Sequence, residues 1–498
     1  MIPVLSLLAF LGLILFINRR QLGVSTMADY ATANHSIGVL GITFGFLATW
    51  YVGAGYTVFS GFAVSFGMIG MYVIPYGIVT LLVMYLVAEK TFIWGKKYQL
   101  RTQSELLGLR YRSDFIRVLT GFAGVALSVP WLLMEWYTIG YVFNYATEGF
   151  ISPLLGMIIG IFVVVFYVAM GGMRSVVTAN IVQGLYMMIV GSAVLIYVLY
   201  SELGGLSAAM DRLFYEAPGA MTFPGPGWDV SPNYWTAIII TSGLGGFMWP
   251  WVYNKLFAAD SIRTIKQSVL FAPVLGILSF ALLFILSMAL HPLPFAQENP
   301  EEALFWAHAQ AGVWPLAFFA VLVMAASLGT VSGILNAMST AISGDIAQVI
   351  NRKINEKTAL LIARWSVVVM SIGALVGAYL KEGQLVFLAL MTYQGMIVLS
   401  PVVLLGLYWR RANKFGAVAG FLLGMVVSFG LTLTEPEFIQ TYGWTPGVYG
   451  FLTTLLIMLV AGYLRPVESH VDTLWQDIAS ARSRATESAF ATQGSQAS

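Results

Sequence analysis

The feature that most constrains this chain is the sidedness of its charge. Apolar runs of roughly 20 residues recur along it, long enough to cross about 30 Å of hydrocarbon as helix at 1.5 Å per residue. When the chain is threaded back and forth through those runs, all of its 25 Lys and Arg except Arg212 and Lys381 fall on one side. Such a bias marks the cytoplasmic face of a membrane protein. Composition agrees: 58% of the 498 residues are hydrophobic and 10% charged, against about 25% charged in soluble domains. No water-soluble fold hides that much apolar surface. The absence of cysteine excludes disulfides, thiolate metal sites and cysteine nucleophiles.

Thirteen apolar segments are expected, at 2–17, 38–65, 67–89, 116–145, 152–171, 176–200, 232–256, 268–290, 312–343, 358–380, 383–408, 414–433 and 446–464. Arg19 and Arg20 follow the first, which puts the N-terminus outside and the C-terminus inside. Because that basic pair lies after the apolar run rather than before it, the first segment reads as an uncleaved anchor and not a signal peptide. The expected organisation is one transmembrane domain, 1–464, followed by a short solvated cytoplasmic tail, 465–498. The outside loops 201–231, 291–311 and 434–445 are rich in Pro, Gly and aromatics and suit the cap of an outer vestibule.

Internal symmetry narrows the class. Transporters are often built from two inverted repeats whose first helices break near the midplane, freeing backbone groups for ions and substrate. Segment two contains Ala48-Thr49-Trp50-Tyr51-Val52-Gly53-Ala54-Gly55 and segment seven Ser242-Gly243-Leu244-Gly245-Gly246. They lie five segments apart, and an odd spacing reverses orientation. Segments two to six (38–200) and seven to eleven (232–408) are therefore expected to be inverted copies, with 414–464 adding two further helices. The competing reading is that these glycines merely let helices pack closely.

Local motifs carry a family resemblance. Gly171-Gly172-Met173-Arg174-Ser175-Val176-Val177 followed by Ala179-Asn180-Ile181-Val182-Gln183, Ser339-Thr340-Ala341-Ile342-Ser343-Gly344-Asp345, and Trp249-Pro250 with Lys255 through Ser261 are together similar to signatures of the sodium:solute symporters. The resemblance implies an all-α, LeuT-like five-plus-five fold and ion-coupled uptake of a small solute. It also implies a sodium site using the carbonyls of Ala48, Tyr51 and Ala326 and two adjacent hydroxyls at 329 and 330. Thr330 supplies one hydroxyl; Gly329 supplies none. Ser327 or Ser332 compensates only if the helix is rotated or unwound. Trp50 stands where relatives often have a polar or acidic residue, and Asn180 where many have an aspartate linked to a second sodium.

One residue offsets those losses. Glu135 lies within the apolar run Pro130-Trp131-Leu132-Leu133-Met134-Glu135-Trp136, at a place where relatives often carry glutamine. A carboxylate held ionised in hydrocarbon is costly, so such a group faces the bundle interior and suits proton coupling; the alternative is a purely structural hydrogen-bonding role. The coupling ion is therefore Na+ or H+, and energetics does not choose between them. Either charge moving through 100 mV releases about 2.3 kcal/mol, roughly fifty-fold accumulation.

Candidate substrate residues surround the expected breaks: Thr49, Trp50, Tyr51, Tyr56, Trp131, Glu135, Thr138, Trp249, Tyr253, Ser332, Asn336 and Gln394. Lys255 is expected to snorkel from near the inner end. An anionic group would then be held by half-helix N-termini, which favours a small monocarboxylate or zwitterionic amino acid over a multiply charged acid, while the aromatic residues leave sugars or osmolytes open. Asp345 is a candidate gate residue, capping a helix or pairing with Arg352 or Lys353. The histidines His35, His291, His308 and His470 fall in expected loops or the tail without metal-ligand spacing. No phosphate-binding glycine-lysine loop occurs, and the basic loops are explained by topology without nucleic acid. The expectation is a cofactor-free, non-enzymatic, monomeric symporter of the bacterial inner membrane, whose partners are a solute, a coupling cation and lipid. A transporter-like nutrient sensor is the alternative.

Overall fold

Runs of apolar residues with few internal prolines leave the backbone no route to satisfaction in hydrocarbon except helix. In the computed structural model, which describes residues 1–223, 225–226, 231–380, 385–481 and 483, helix dominates and no strand forms among the described residues. Lys381, Arg482, Arg484 and the tail beyond 484 lie outside them. Helix α1 spans Ile2–Asn18. Segment two is split into α2 (Val39–Trp50) and α3 (Val58–Phe66), followed by α4 (Val73–Tyr98), α5 (Gln103–Tyr111) and α6 (Asp114–Ala146). Next, α7 (Pro153–Tyr186) passes through a π turn, Met187–Gly191, into α8 (Ser192–Ser201). Segment seven comprises α9 (Asn233–Gly246), α10 (Pro250–Tyr253) and α11 (Lys255–Ala258). The remaining long helices are α12 (Ile262–Ala289), α13 (Val313–Thr340), α14 (Glu356–Tyr379), α15 (Leu385–Tyr408), α16 (Lys414–Thr434) and α17 (Pro446–Leu464).

Among the described residues, nine helical runs are long and apolar enough to cross a membrane, fewer than the thirteen segments expected. Two of the nine, Gly53–Tyr98 and Pro153–Ser201, have 46 and 49 residues, about 70 Å if straight. Each contains a turn at a glycine. Gly67 has φ 65° and Gly172 has φ 53°, backbone that side chains resist. A Cβ there would also stand 2.2 Å from the Ala220 carbonyl oxygen or 2.6 Å from that of Tyr30. The other two missing spans, segments one and seven, are short pieces, with α1 and α9 having 17 and 14 residues.

Segment two breaks where expected, whereas segment seven breaks beyond its glycines and for a different local reason. In segment two the helix ends where Tyr51 donates to the Leu47 carbonyl (2.9 Å). Tyr51 (ψ 79°) and Val52 (ψ 147°) are then extended before a 3-10 turn, Gly53–Tyr56. In segment seven the glycines stay helical, and the break falls just after them, at Trp249 (ψ 129°). Pro250 forces it, because the residue before a proline is pushed out of the α region. Gly243, Gly245 and Gly246 instead admit close neighbours, facing Val79, the Ile397 backbone and Trp50. At those three positions the close-packing reading holds.

The core sits around α13, which is buried along almost its whole length. It packs against α2, α6 and α7, so the broken helix and the Glu135 helix share one central partner. Two of the loops expected outside fold over the end of segment two and the turn that follows it. Loop 201–231 brings Ala220 against Gly67, and loop 291–311 brings the Glu301 backbone against Gly61. The latter loop is not irregular, since it contains the helices Pro294–Glu298 and Ala303–Gln310.

Candidate functional site

Glu135 meets the break of segment two. Its side chain is fully buried, and Oε1 accepts the Ala54 N–H at 3.2 Å, one of the amides released where the helix is interrupted. Oε2 lies 2.7 Å, and Ser327 Oγ 1.8 Å, from where a side chain on Gly53 would begin. Only glycine at 53 lets the carboxyl of α6, the hydroxyl of α13 and the broken backbone converge. Just beyond, Thr57 and Thr138 share a hydrogen bond of 3.0 Å. The arrangement places an ionisable group on backbone that has left the helical ladder.

The sodium positions adjoin this point on the same two helices. Thr330 Oγ1 donates to the Ala326 carbonyl at 3.1 Å, and both residues are buried. Gly329 faces α2 directly, and a Cβ on it would stand 2.4 Å from the Ala48 carbonyl oxygen. There is no place for a hydroxyl side chain between the helices. A hard cation wants about six oxygens, and Ser332 does not compensate because its hydroxyl is turned to the Gly329 carbonyl at 2.9 Å. Neither does Ser327, which faces Gly53 and Glu135. The donor set does not fit a sodium ion held in the family's manner.

Part of the substrate set is brought together by aromatic stacking. Trp131 donates to Thr392 Oγ1 at 3.0 Å and packs on Phe59, Trp249, Trp251 and Tyr393 at centroid distances of 5.8, 5.9, 6.3 and 5.5 Å. Trp50 stacks on Phe46 and meets Tyr76, which in turn meets Tyr393. Trp50, Trp131 and Trp249 thus belong to one aromatic wall, linked by Tyr76 and Tyr393, which sequence reasoning missed. Their signal was available only as aromatics on segments three and eleven. Beside Trp50 and Tyr51 the cavity amounts to about 10 Å³, room for about one water. That space admits no solute in this conformation.

Other candidates lie elsewhere. Thr49 donates to the Gly45 carbonyl within its own helix (2.7 Å), and Tyr56 packs edge-on to Phe319. Tyr253 is bonded to Thr91 (2.7 Å) and Asn336 to the Tyr30 carbonyl (3.0 Å). Gln394 accepts the Gly447 N–H at 2.7 Å and lines an open groove of about 570 Å³ between α15, α16 and α17.

The resemblance is matched over most of the chain. The family model described as sodium:solute symporter family aligns with residues 16–424. The chain belongs to the sodium:solute symporter family. The sodium/pantothenate symporter of Escherichia coli (strain K12) is 25% identical over 471 residues, covering 92% of this chain and 95% of that protein. The uncharacterized symporter YhjB of Bacillus subtilis (strain 168) is 23% identical, with coverages of 81% and 85%. A Na+-coupled sialic acid symporter solved in a substrate-bound outward-open state shares the fold, with a TM-score of 0.79 at 17% identity, covering 94% of this chain and 98% of that one. This symporter is therefore a multi-pass, LeuT-like membrane transporter of a small solute with a cation, and not an enzyme.

At the end of the symporter that the charge pattern assigns to the cytoplasm, ion pairs close the bundle. Asp345 does not pair with Arg352 or Lys353. Its Oδ1 accepts from Arg117 Nε and Thr102 Oγ1, both at 2.9 Å, while Arg352 reaches Asp114 instead. The reason is burial: Asp345 points inward from a π turn, Ala341–Ala347, whereas Arg352 lies on the exposed surface. Arg117 also reaches Glu105, which Arg101 holds as well, each at 2.6 Å. Burial works to raise the Glu105 carboxyl, but Arg101 and then Arg117 overcome it and hold it below the usual carboxylate range. The Thr102-Gln103-Ser104-Glu105 motif caps α5: Thr102 accepts the Glu105 N–H (3.0 Å), and Glu105 Oε2 accepts the Arg101 N–H (2.6 Å). That motif was readable in sequence, and it positions the carboxylate.

Lys255 does not snorkel. It is 2% exposed, and its ammonium donates to the Trp251 carbonyl at 2.8 Å, because the segment-seven break turns α11 back into the bundle.

Proposed function

We propose that this chain imports a small organic solute, a monocarboxylate or an amino acid, across the bacterial cytoplasmic membrane, working as a monomer by alternating access and drawing on a sodium or proton gradient. The observation that carries this reading is the buried Glu135 carboxyl against the Ala54 amide at the break of segment two. In this reading, 38–200 and 232–408 are the inverted repeats, 414–464 adds two helices, and 465–498 is a cytoplasmic tail. The aromatic wall of Trp50, Trp131, Trp249 and Tyr393 flanks the solute, and the unwound turns supply its polar contacts. Glu135 is the coupling carboxyl and Asp345 belongs to the inner gate.

A ligand that binds the native state raises its melting temperature, so a thermal-shift screen of carboxylates and amino acids nominates the solute. Purified protein in liposomes then accumulates that solute under an imposed gradient. Absence of accumulation for every stabilising compound, under sodium and proton gradients alike, overturns the reading in favour of a sensor.

A further inference from the structure

Lys255 is the one buried side chain near the broken helices whose charge the account above does not use. No carboxylate pairs with it among the described residues, and its only hydrogen bond is to the Trp251 carbonyl. Its stem and ammonium are wedged between two glycines on different helices. Lys255 Cε is 3.5 Å from where a side chain on Gly45 would begin, and Nζ is 3.6 Å from the same point on Gly333. Gly333 also packs on Thr49 Cγ2. The methylene stem therefore lies against α2 at Gly45, and the ammonium lies against α13 at Gly333.

A helix that stops inside the membrane leaves its last carbonyls short of intrahelical donors, and its C-terminal end carries a partial negative charge. At the α2 terminus that charge has to be offset, because water is not available to do it. In the family's pattern a sodium ion sits on the Ala48 and Tyr51 carbonyls. Here Gly329 brings α13 so close that a Cβ would stand 2.4 Å from the Ala48 oxygen. One turn away, the stem of Lys255 stands at Gly45 and its ammonium at Gly333. Asn180 reinforces the substitution, since it donates to the Gly45 carbonyl (3.4 Å) and adds no anionic charge to attract an ion.

We propose that Lys255 is a tethered resident cation that takes the place of sodium at the carbonyl end of the first broken helix, holding α2 on α13 so that no sodium is needed there. Two side chains of this chain then serve one break, Glu135 on the Ala54 amide and Lys255 by its charge from one turn behind the carbonyl end. The inference rests on reading that break as the coupling centre, yet its test involves neither solute nor transport, so either can fail without the other.

The test is the melting temperature of the purified full-length protein in NaCl against KCl at equal ionic strength. Wild type is expected to melt at the same temperature in both salts. Lys255→Ala, which empties the position beside the α2 carbonyls, is expected to melt several degrees lower in KCl, with NaCl restoring a large part of the loss. A saturable, sodium-specific rise in the wild type overturns the proposal, and that measurement stands even where Lys255→Ala does not fold. A Lys255→Ala protein destabilised equally in both salts also overturns it, assigning the lysine to packing or to a solute's carboxylate.

Discussion

At the residue scale, His308 shows how far burial alone can set a group's behaviour. It lies in the outside helix Ala303–Gln310, stacked on Phe319 at a centroid distance of 3.8 Å, with Nδ1 at 2.6 Å from the Leu304 carbonyl. Burial pushes it down to about 3, outweighing the backbone hydrogen bond that favours the charged form. The native state therefore keeps the imidazole neutral while the unfolded chain protonates it near 6.5. Stability is complete above that value and is lost as pH falls toward the folded one, by up to about 1.4 kcal/mol per pH unit. His308→Phe, which keeps the stacking ring and removes the titration, is expected to melt with a smaller difference between pH of about 7.5 and 5.5 than wild type; an unchanged difference contradicts the assignment. The sequence placed this histidine in a loop because its neighbours are short of a full apolar run. The snorkelling of Lys255 and the pairing of Asp345 with Arg352 or Lys353 failed for a related reason, since proximity in the chain to an interface says nothing about which way a break or a π turn aims a side chain.

At the scale of elements, the break in segment two was legible from its glycines, and the break in segment seven was legible only to within a few residues. Three glycines there serve packing, and the interruption belongs to Pro250, whose constraint on Trp249 is itself a sequence signal. The inner closure was not legible, because it joins the start of α6, the cap of α5 and the end of α13 across 243 residues of chain between Thr102 and Asp345. Breaking a buried pair by removing one partner leaves the other charge uncompensated, at a cost of about 3–5 kcal/mol. Arg117→Gln is therefore expected to loosen this end of the bundle. The chain has no cysteine, so a cysteine introduced at the buried Thr340 reports directly. It should react faster with a membrane-impermeant thiol reagent added to the cytoplasmic face when Arg117 is glutamine. Equal rates would show that the pair does not hold the gate.

For the whole molecule, sidedness of charge and run length were enough to establish the class. What they could not supply is the partnership of helices. Glu135, Gly53 and Ser327 are separated by tens to hundreds of residues and meet only because α2, α6 and α13 pack together. Turns at Gly67 and Gly172 explain why a run of apolar residues counts as two segments in sequence but one long helical stretch in structure. On the proposed alternating-access reading, the aromatic wall and the inner ion pairs are closed together in one conformation of the cycle. Within that cycle the central claim is that charge coupling runs through the carboxyl at the break. The most direct test is accumulation of the identified solute in proteoliposomes under an imposed proton gradient and, separately, an imposed sodium gradient. Glu135→Gln is expected to abolish proton-driven accumulation more severely than Thr330→Ala reduces sodium-driven accumulation. Uptake that ignores pH, rises with external sodium and survives in Glu135→Gln would contradict the account.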